Sequence, residues 1–321
     1  MSDSPTLDGT RRSVLKATGG LLAAGGLLGS AGAATAAEEW TTAETPTART
    51  LHAVVETAVG PFAVGGGGEV LHRTDLGWQR VLDDGPTGNS NDLYGAASTD
   101  DGTRLWVVGA SGAIGEYNVL TGSLIDHSAP NDVTNNFNDV SVVGEPGDAN
   151  VYIAGDSGKI YSSAANGATE TWSQVTPGSG AAIQAIDFHG PTNGHAVDGN
   201  QTVFETTDGE VYERIGIADA NVNFYAVDSD GRDEVHVAGD GGMVHDWDGA
   251  AWTPTDLGDA SFRDIELADG SGYVVGGGGA LFSFADGTWS QESTPTGENL
   301  KSIRRGSTDI AVGAAGTVIE K

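Results

Sequence analysis

Beyond residue 38 the apolar positions never settle into a helical period; they come in short runs punctuated by Gly, Asp and Asn, as strands and tight turns require. One pattern recurs: two apolar residues, Gly, two residues, Gly, one residue, then an aliphatic. It reads Ala63-Val64-Gly65 to Gly68-Glu69-Val70, Val107-Val108-Gly109 to Gly112-Ala113-Ile114, and Ile153-Ala154-Gly155 to Gly158-Lys159-Ile160. It continues as Ala196-Val197-Asp198 to Gln201-Thr202-Val203, Val237-Ala238-Gly239 to Gly242-Met243-Val244, Val274-Val275-Gly276 to Gly279-Ala280-Leu281, and Ala311-Val312-Gly313 to Gly316-Thr317-Val318. Aligned on the first Gly, or on Asp198 in its place, the copies lie 44, 46, 43, 41, 37 and 37 residues apart. A Gly-x-x-Gly between β-branched residues predicts a hairpin whose turn needs positive φ.

Each unit opens with a short apolar stretch: Leu51 to Val54, Leu93 to Ala96, Phe137 to Val140, Ile183 to Ile186, Phe224 to Val227, Phe262 to Ile265 and Leu300 to Ile303. Most close on a strand begun by an aromatic, as at Trp78, Trp172, Tyr212, Trp252 and Trp289. Four strands in about forty residues make one blade of a β-propeller. The expected fold is therefore all-β: seven four-stranded antiparallel blades spanning residues 37–321. The seventh unit stops at Lys321 without its last strand, while Trp40 to Thr47 matches Trp289 to Thr296 of unit six. The N-terminal strand should thus complete the last blade and remove two frayed edges at once.

Ahead of the repeats, Thr10-Arg11-Arg12-Ser13-Val14-Leu15-Lys16 precedes an uncharged Gly/Ala/Leu stretch from Ala17 to Ala37. This resembles a twin-arginine export signal over residues 1–36, with Ala34-Thr35-Ala36 as a small-residue cleavage site. The implied destination is extracellular or at the cell surface, with membrane contact only through that signal.

Charge narrows the partners. The 321 residues carry 45 acids against 15 Lys and Arg, a formal net charge of −30. Nucleic acid is excluded as a partner, because phosphate binding needs a clustered basic footprint. The self-repulsion is tolerable where salt is molar and the Debye length is about 3 Å, so the acidity reads as adaptation to a hypersaline medium. With no Cys, disulfides and thiolate chemistry are absent, and packing must supply the stability.

Before several closing aromatics sits an Asp turn: Thr74-Asp75-Leu76-Gly77-Trp78, Thr207-Asp208-Gly209, Asp248-Gly249-Ala250-Ala251-Trp252 and Ala285-Asp286-Gly287-Thr288-Trp289. These resemble degenerate Asp-box turns of the BNR and sialidase-like propellers, in which Asp caps its own turn and Gly takes the left-handed conformation. The whole repeat is similar to the photosystem II stability and assembly factor family of propellers over roughly residues 38–321. That resemblance implies the fold and a binding or assembly role; the shared residues build blades, so no photosynthetic role is carried over.

Sialidase chemistry needs an arginine triad, and of the arginines only Arg263 falls near the expected channel. Acids are too numerous for a carboxylate pair to stand out, and no Gly-x-Ser-x-Gly or His-Glu-x-x-His motif occurs. A secreted glycoside hydrolase is the alternative to a non-catalytic scaffold. No cofactor is expected. Asp228, Asp230 and Asp233 partly match the carboxylate spacing of a calcium loop but lack its downstream Glu. His189 and His195 could face each other across a hairpin, as polar surface.

The residue after each opening apolar is equivalent in all units: His52, Tyr94, Asn138, Gln184, Tyr225, Arg263 and Lys301. The next position is mostly small: Ala53, Gly95, Asp139, Ala185, Ala226, Asp264 and Ser302. One of these rings should surround the channel mouth, with the hairpin-tip residues Ser111, Asp156, Asn200 and Asp240 on the same face. A varied polar ring suits recognition of one asymmetric partner, a protein or a glycan, by a monomer.

Overall fold

The computed structural model describes residues 39–217 and 220–321. The expected export signal lies outside the described residues. Seven four-stranded antiparallel sheets follow one another, six ordered in sequence from the innermost strand outward and the last borrowing its outer strand from the N-terminal segment. The innermost strands are Leu51–Val55, Leu93–Ser98, Phe137–Val143, Ile183–Phe188, Phe224–Gly231, Phe262–Ala268 and Leu300–Arg304. They are numbered here as blades 1 to 7. Each packs against its neighbours in the ring, blade 7 against blade 1 included. The chain is a seven-bladed β-propeller.

Closure follows the expected route. Thr41–Ala43 pairs antiparallel with Val318–Glu320 and so supplies the outer strand of blade 7. Trp40 is buried between blades 6 and 7 with Val275, Leu281, Leu300 and Ile319. The segment after it repeats the bonds of its counterpart in blade 6. Thr45 Oγ1 donates to Gly316 O at 2.8 Å as Thr294 Oγ1 donates to Gly279 O at 2.8 Å. Arg49 N donates to Thr47 Oγ1 as Glu298 N does to Thr296 Oγ1, both at 3.0 Å. Across the joint between blades 7 and 1, Arg73 grips the Glu320 carboxylate with two bonds of 2.8 Å, and Trp78 Nε1 donates to the same group.

The glycine hairpins join the second and third strands, and the close approach of backbone explains their first Gly. A Cβ on Gly65 would stand 2.2 Å from Thr50 O, and one on Gly239 2.0 Å from Asn223 O. In every blade the residue after that Gly, or after Asp198, donates its N–H to the carbonyl just before the innermost strand, as Gly66 does to Thr50 and Asp240 to Asn223. Blade 4 tolerates Asp198 because its own Oδ1 accepts from Asn200 N and Thr202 N, closing the tip with a side chain. In the outer turns, Asp208 and Asp248 each cap two amides, whereas Asp286 sits at φ 51° before Gly287 at φ 74°, a positive-φ Asp-Gly hairpin.

Candidate binding face at the channel mouth

Pinning the hairpin tip over the start of the innermost strand has a second effect. In blade 1 Leu51 pairs with Gly65 and Ala53 with Val64, which leaves His52 as the extra residue of a β-bulge. The same shift occurs in the other six blades, at Tyr94, Asn138, Gln184, Tyr225, Arg263 and Lys301. A bulge turns its unpaired side chain out of the ladder. All seven side chains line one central depression. The next positions line it too, except Gly95, whose missing side chain lets the blade 3 backbone come close: a Cβ there would meet Asp139 Cα at 2.7 Å.

The bulge residues form an uneven circle. Arg263 lies over the Tyr225 ring, Cζ 4.0 Å from its centroid, and the Tyr225 hydroxyl donates to Asp240 Oδ2 at 3.0 Å. Lys301 follows, its ammonium held below the usual lysine range by burial and then by the Arg263 charge. His52 is likewise lowered, by burial first and Lys301 next; it stands edge-on to Tyr94 with centroids 5.2 Å apart. The remaining wall is neutral: Asn138, whose amide donates to Asp156 Oδ1 and Ile183 O at 2.9 Å, and Gln184. Asp156 and Asp240 thus brace ring residues from the hairpin tips, whereas Ser111 N donates to Asn136 and Asn200 N to Asp198, and none of the four tip residues lines the depression itself. Burial alone would raise Asp240; bonds from Ser261, Tyr225 and Asn223, with the Arg263 charge, bring it below the usual carboxylate range.

Below the bulge ring the side chains join blades. Asp139 Oδ2 accepts from Ile186 N, Asp264 Oδ2 from Ile303 N, and Ser302 Oγ from Val54 N, each linking an innermost strand to the next one. Two residues deeper, Ser141 accepts from Phe188 N, Asp187 from Ser229 N and Asp228 from Leu267 N. These seams were illegible in the sequence, where an Asp in so acidic a chain reads as surface.

The acids with partial calcium-loop spacing are divided by the fold. Asp228 is buried between blades 5 and 6 and spends an oxygen on Leu267 N, while Asp233 is exposed in the turn between the innermost and second strands of blade 5, so the three carboxylates do not converge. Among the described residues no group of three or more His, Asp or Glu side chains could hold a metal ion. Crowding has another consequence: Asp228 is pushed well above its ordinary pKa by burial, then by Asp230, Asp187 and Glu266. Asp230 is raised by burial, then by Asp187, Glu234, Glu266 and Asp269. The two histidines do face each other, 5.8 Å apart and sharing Ser229 Oγ, but His195 is fully buried, not surface. Burial, then His189 and Arg232, push its imidazole down to about 3.

Catalytic groups are limited by the same bonds. Asp139, Asp264 and Glu266 are the acids of the depression, and both oxygens of Asp139 and of Asp264 accept from strand amides. Arg263 is the only arginine lining it. The cavity volume is ≈ 100 Å³, well under the roughly 300 Å³ at which small-molecule pockets begin. A larger groove of ≈ 580 Å³ runs along blade 5 between Ile215, Val222, Met243, Trp247 and Trp252; its lining comes from two short segments, 215–222 and 243–254.

Fold and face together define a β-propeller with one asymmetric, polar channel mouth. No protein-family model matches the chain, and no curated protein sequence matches it. Solved structures do. The chain resembles YCF48 bound to D1 peptide, at 16% identity and a TM-score of 0.69, over 88% of this chain and 94% of that one. It resembles a virginiamycin B lyase from Staphylococcus aureus at 11% identity and a TM-score of 0.74, over 88% and 97%. The WD40 β-propeller domain of Doa1 aligns at 12% identity and 0.71, over 87% and 94%. At such identities the likeness speaks for the fold.

Proposed function

We propose that this protein is a non-catalytic binding or assembly scaffold that grips a protein partner at the channel mouth. One observation carries the reading: seven non-equivalent side chains, each freed from its ladder by a bulge, surround a single depression. Residues there can vary without cost to blade pairing, which suits recognition of one asymmetric surface. YCF48 bound to D1 peptide is a propeller of this fold holding a peptide, which supports a protein partner over a glycan. The commitment of Asp139 and Asp264 to strand amides favours a scaffold over a paired-carboxylate hydrolase. The resemblance of Thr10 to Lys16 to a twin-arginine signal supports a role outside the cell after export in the folded state.

Affinity capture tests this. The full chain and a variant with Tyr94, Tyr225 and Arg263 changed to Ala are used as bait in a high-salt extract, beside a glycan array. A protein recovered by the first bait and lost with the second is expected; equal recovery overturns the reading, and glycan binding in its place replaces the partner class.

A further inference from the structure

We infer that the channel mouth recognises a carboxylate of an extended peptide, held between Arg263 and Lys301. The inference rests on the binding role proposed above and names the chemistry of its ligand.

Bases are scarce in this chain, 15 among 321 residues, yet two stand on adjacent blades at the same bulge position. Among the described residues neither has a carboxylate within ion-pair distance or makes a hydrogen bond, although acids outnumber bases three to one: Arg49, Arg73, Arg80, Arg104, Arg232, Arg304 and Lys321 have acid partners, while Lys159 and Arg305, without one, bond to neutral oxygens and Arg214 lies over the Phe204 ring. The acids nearest the pair are already committed. Asp240 takes bonds from Ser261, Tyr225 and Asn223. Asp264 gives its two oxygens to Ile265 N and Ile303 N. Lys301 is half-buried and feels the Arg263 charge, so the two cations repel each other in a partly desolvated wall. An incoming anion relieves that repulsion.

Geometry selects the anion. The Arg263 guanidinium carbon lies 4.0 Å from the Tyr225 ring centroid, and its N–H groups make no hydrogen bond among the described residues, so its fork is open to the two oxygens of a carboxylate. Lys301 adds a point charge beside it. A cavity of ≈ 100 Å³ admits a chain end or one acidic side chain and little more. Tyr94 and the neutral amide of Gln184 remain to meet the rest of the peptide.

The test uses an immobilised array of random decapeptides, each made with a free C-terminal carboxylate and as the amide, with and without internal Asp or Glu. The full-length chain should favour carboxylate-bearing peptides at least about tenfold, the discrimination expected of charge-assisted contacts. Raising salt from 0.1 M to 1 M should shrink the preference. Arg263→Ala and Lys301→Ala should each erode it, Lys301→Arg should keep it, and Gln184→Ala should weaken all peptides alike. Loss on amidation assigns the carboxylate to a chain terminus; persistence tied to Asp or Glu assigns it to a side chain, and either supports the inference. Binding that depends on the ring but ignores carboxylates overturns the inference and leaves the scaffold standing. Binding insensitive to every ring variant, or none at all, overturns both.

Discussion

Arg263 and Asp264 are neighbours in sequence and opposites in duty. The first is the extra residue of a bulge, over a tyrosine at the mouth; the second is stitched through Oδ2 to the next blade. Lys301 and Ser302 repeat the contrast one blade on. At these two blades a single step along the strand separates a side chain that closes no seam from one that holds blade to blade. On the scaffold reading proposed above, recognition falls to positions where backbone pairing is already interrupted and a change of residue leaves the ladder intact.

The contrast can be broken hardest at the ring's own joint. Deleting residues 39–48 removes Trp40 from the core and the strand that closes blade 7. The loss should be about 4 kcal/mol or more in urea unfolding, given the cost of emptying a tryptophan site; an unchanged midpoint would mean that closure does not hold the ring.

Next comes a seam residue. Asp264→Ala strands the amides of Ile265 and Ile303 and should cost about 3 kcal/mol by the same measurement. A loss no greater than that of its neighbour's truncation would erase the distinction between the two rings.

The deep acids give the seam a pH signature. Asp228 and Asp230 hold protons more tightly folded than unfolded, since burial and neighbouring carboxylates raise both. As pH climbs above about 4 the unfolded chain releases protons that the folded chain retains, so this contribution to stability declines towards and through neutrality. His195 acts in the reverse sense, its contribution being lost as pH falls from about 6.5 towards 3. Melting temperatures of the wild type and of Asp230→Asn between pH 5 and pH 9 should diverge, with the variant flatter on the alkaline side; parallel curves would remove the carboxylates from the account.

The smallest effect belongs to the mouth. Gln184→Ala and Lys301→Ala should change stability by no more than about 0.5 kcal/mol, since neither side chain closes a seam. A loss above 2 kcal/mol in either would show that the bulge residues carry structure after all.

Much of this was readable before any coordinates. The seven hairpins, the blade count and the closure through Trp40 follow from local rules: a Gly is needed where a Cβ would stand 2.2 Å from a neighbouring carbonyl, and a missing outer strand must come from somewhere. The equivalence of His52 with Lys301 followed from the same spacing, because a bulge beside a glycine tip is a local event. What a side chain meets across a blade boundary is decided forty residues away. Only the packed ring could bury Asp228 against Leu267 N, hide His195 and lay Arg263 on Tyr225. Repeat chemistry writes each blade into its own segment, whereas charge and burial at the seams depend on which unlike residues the circle sets side by side.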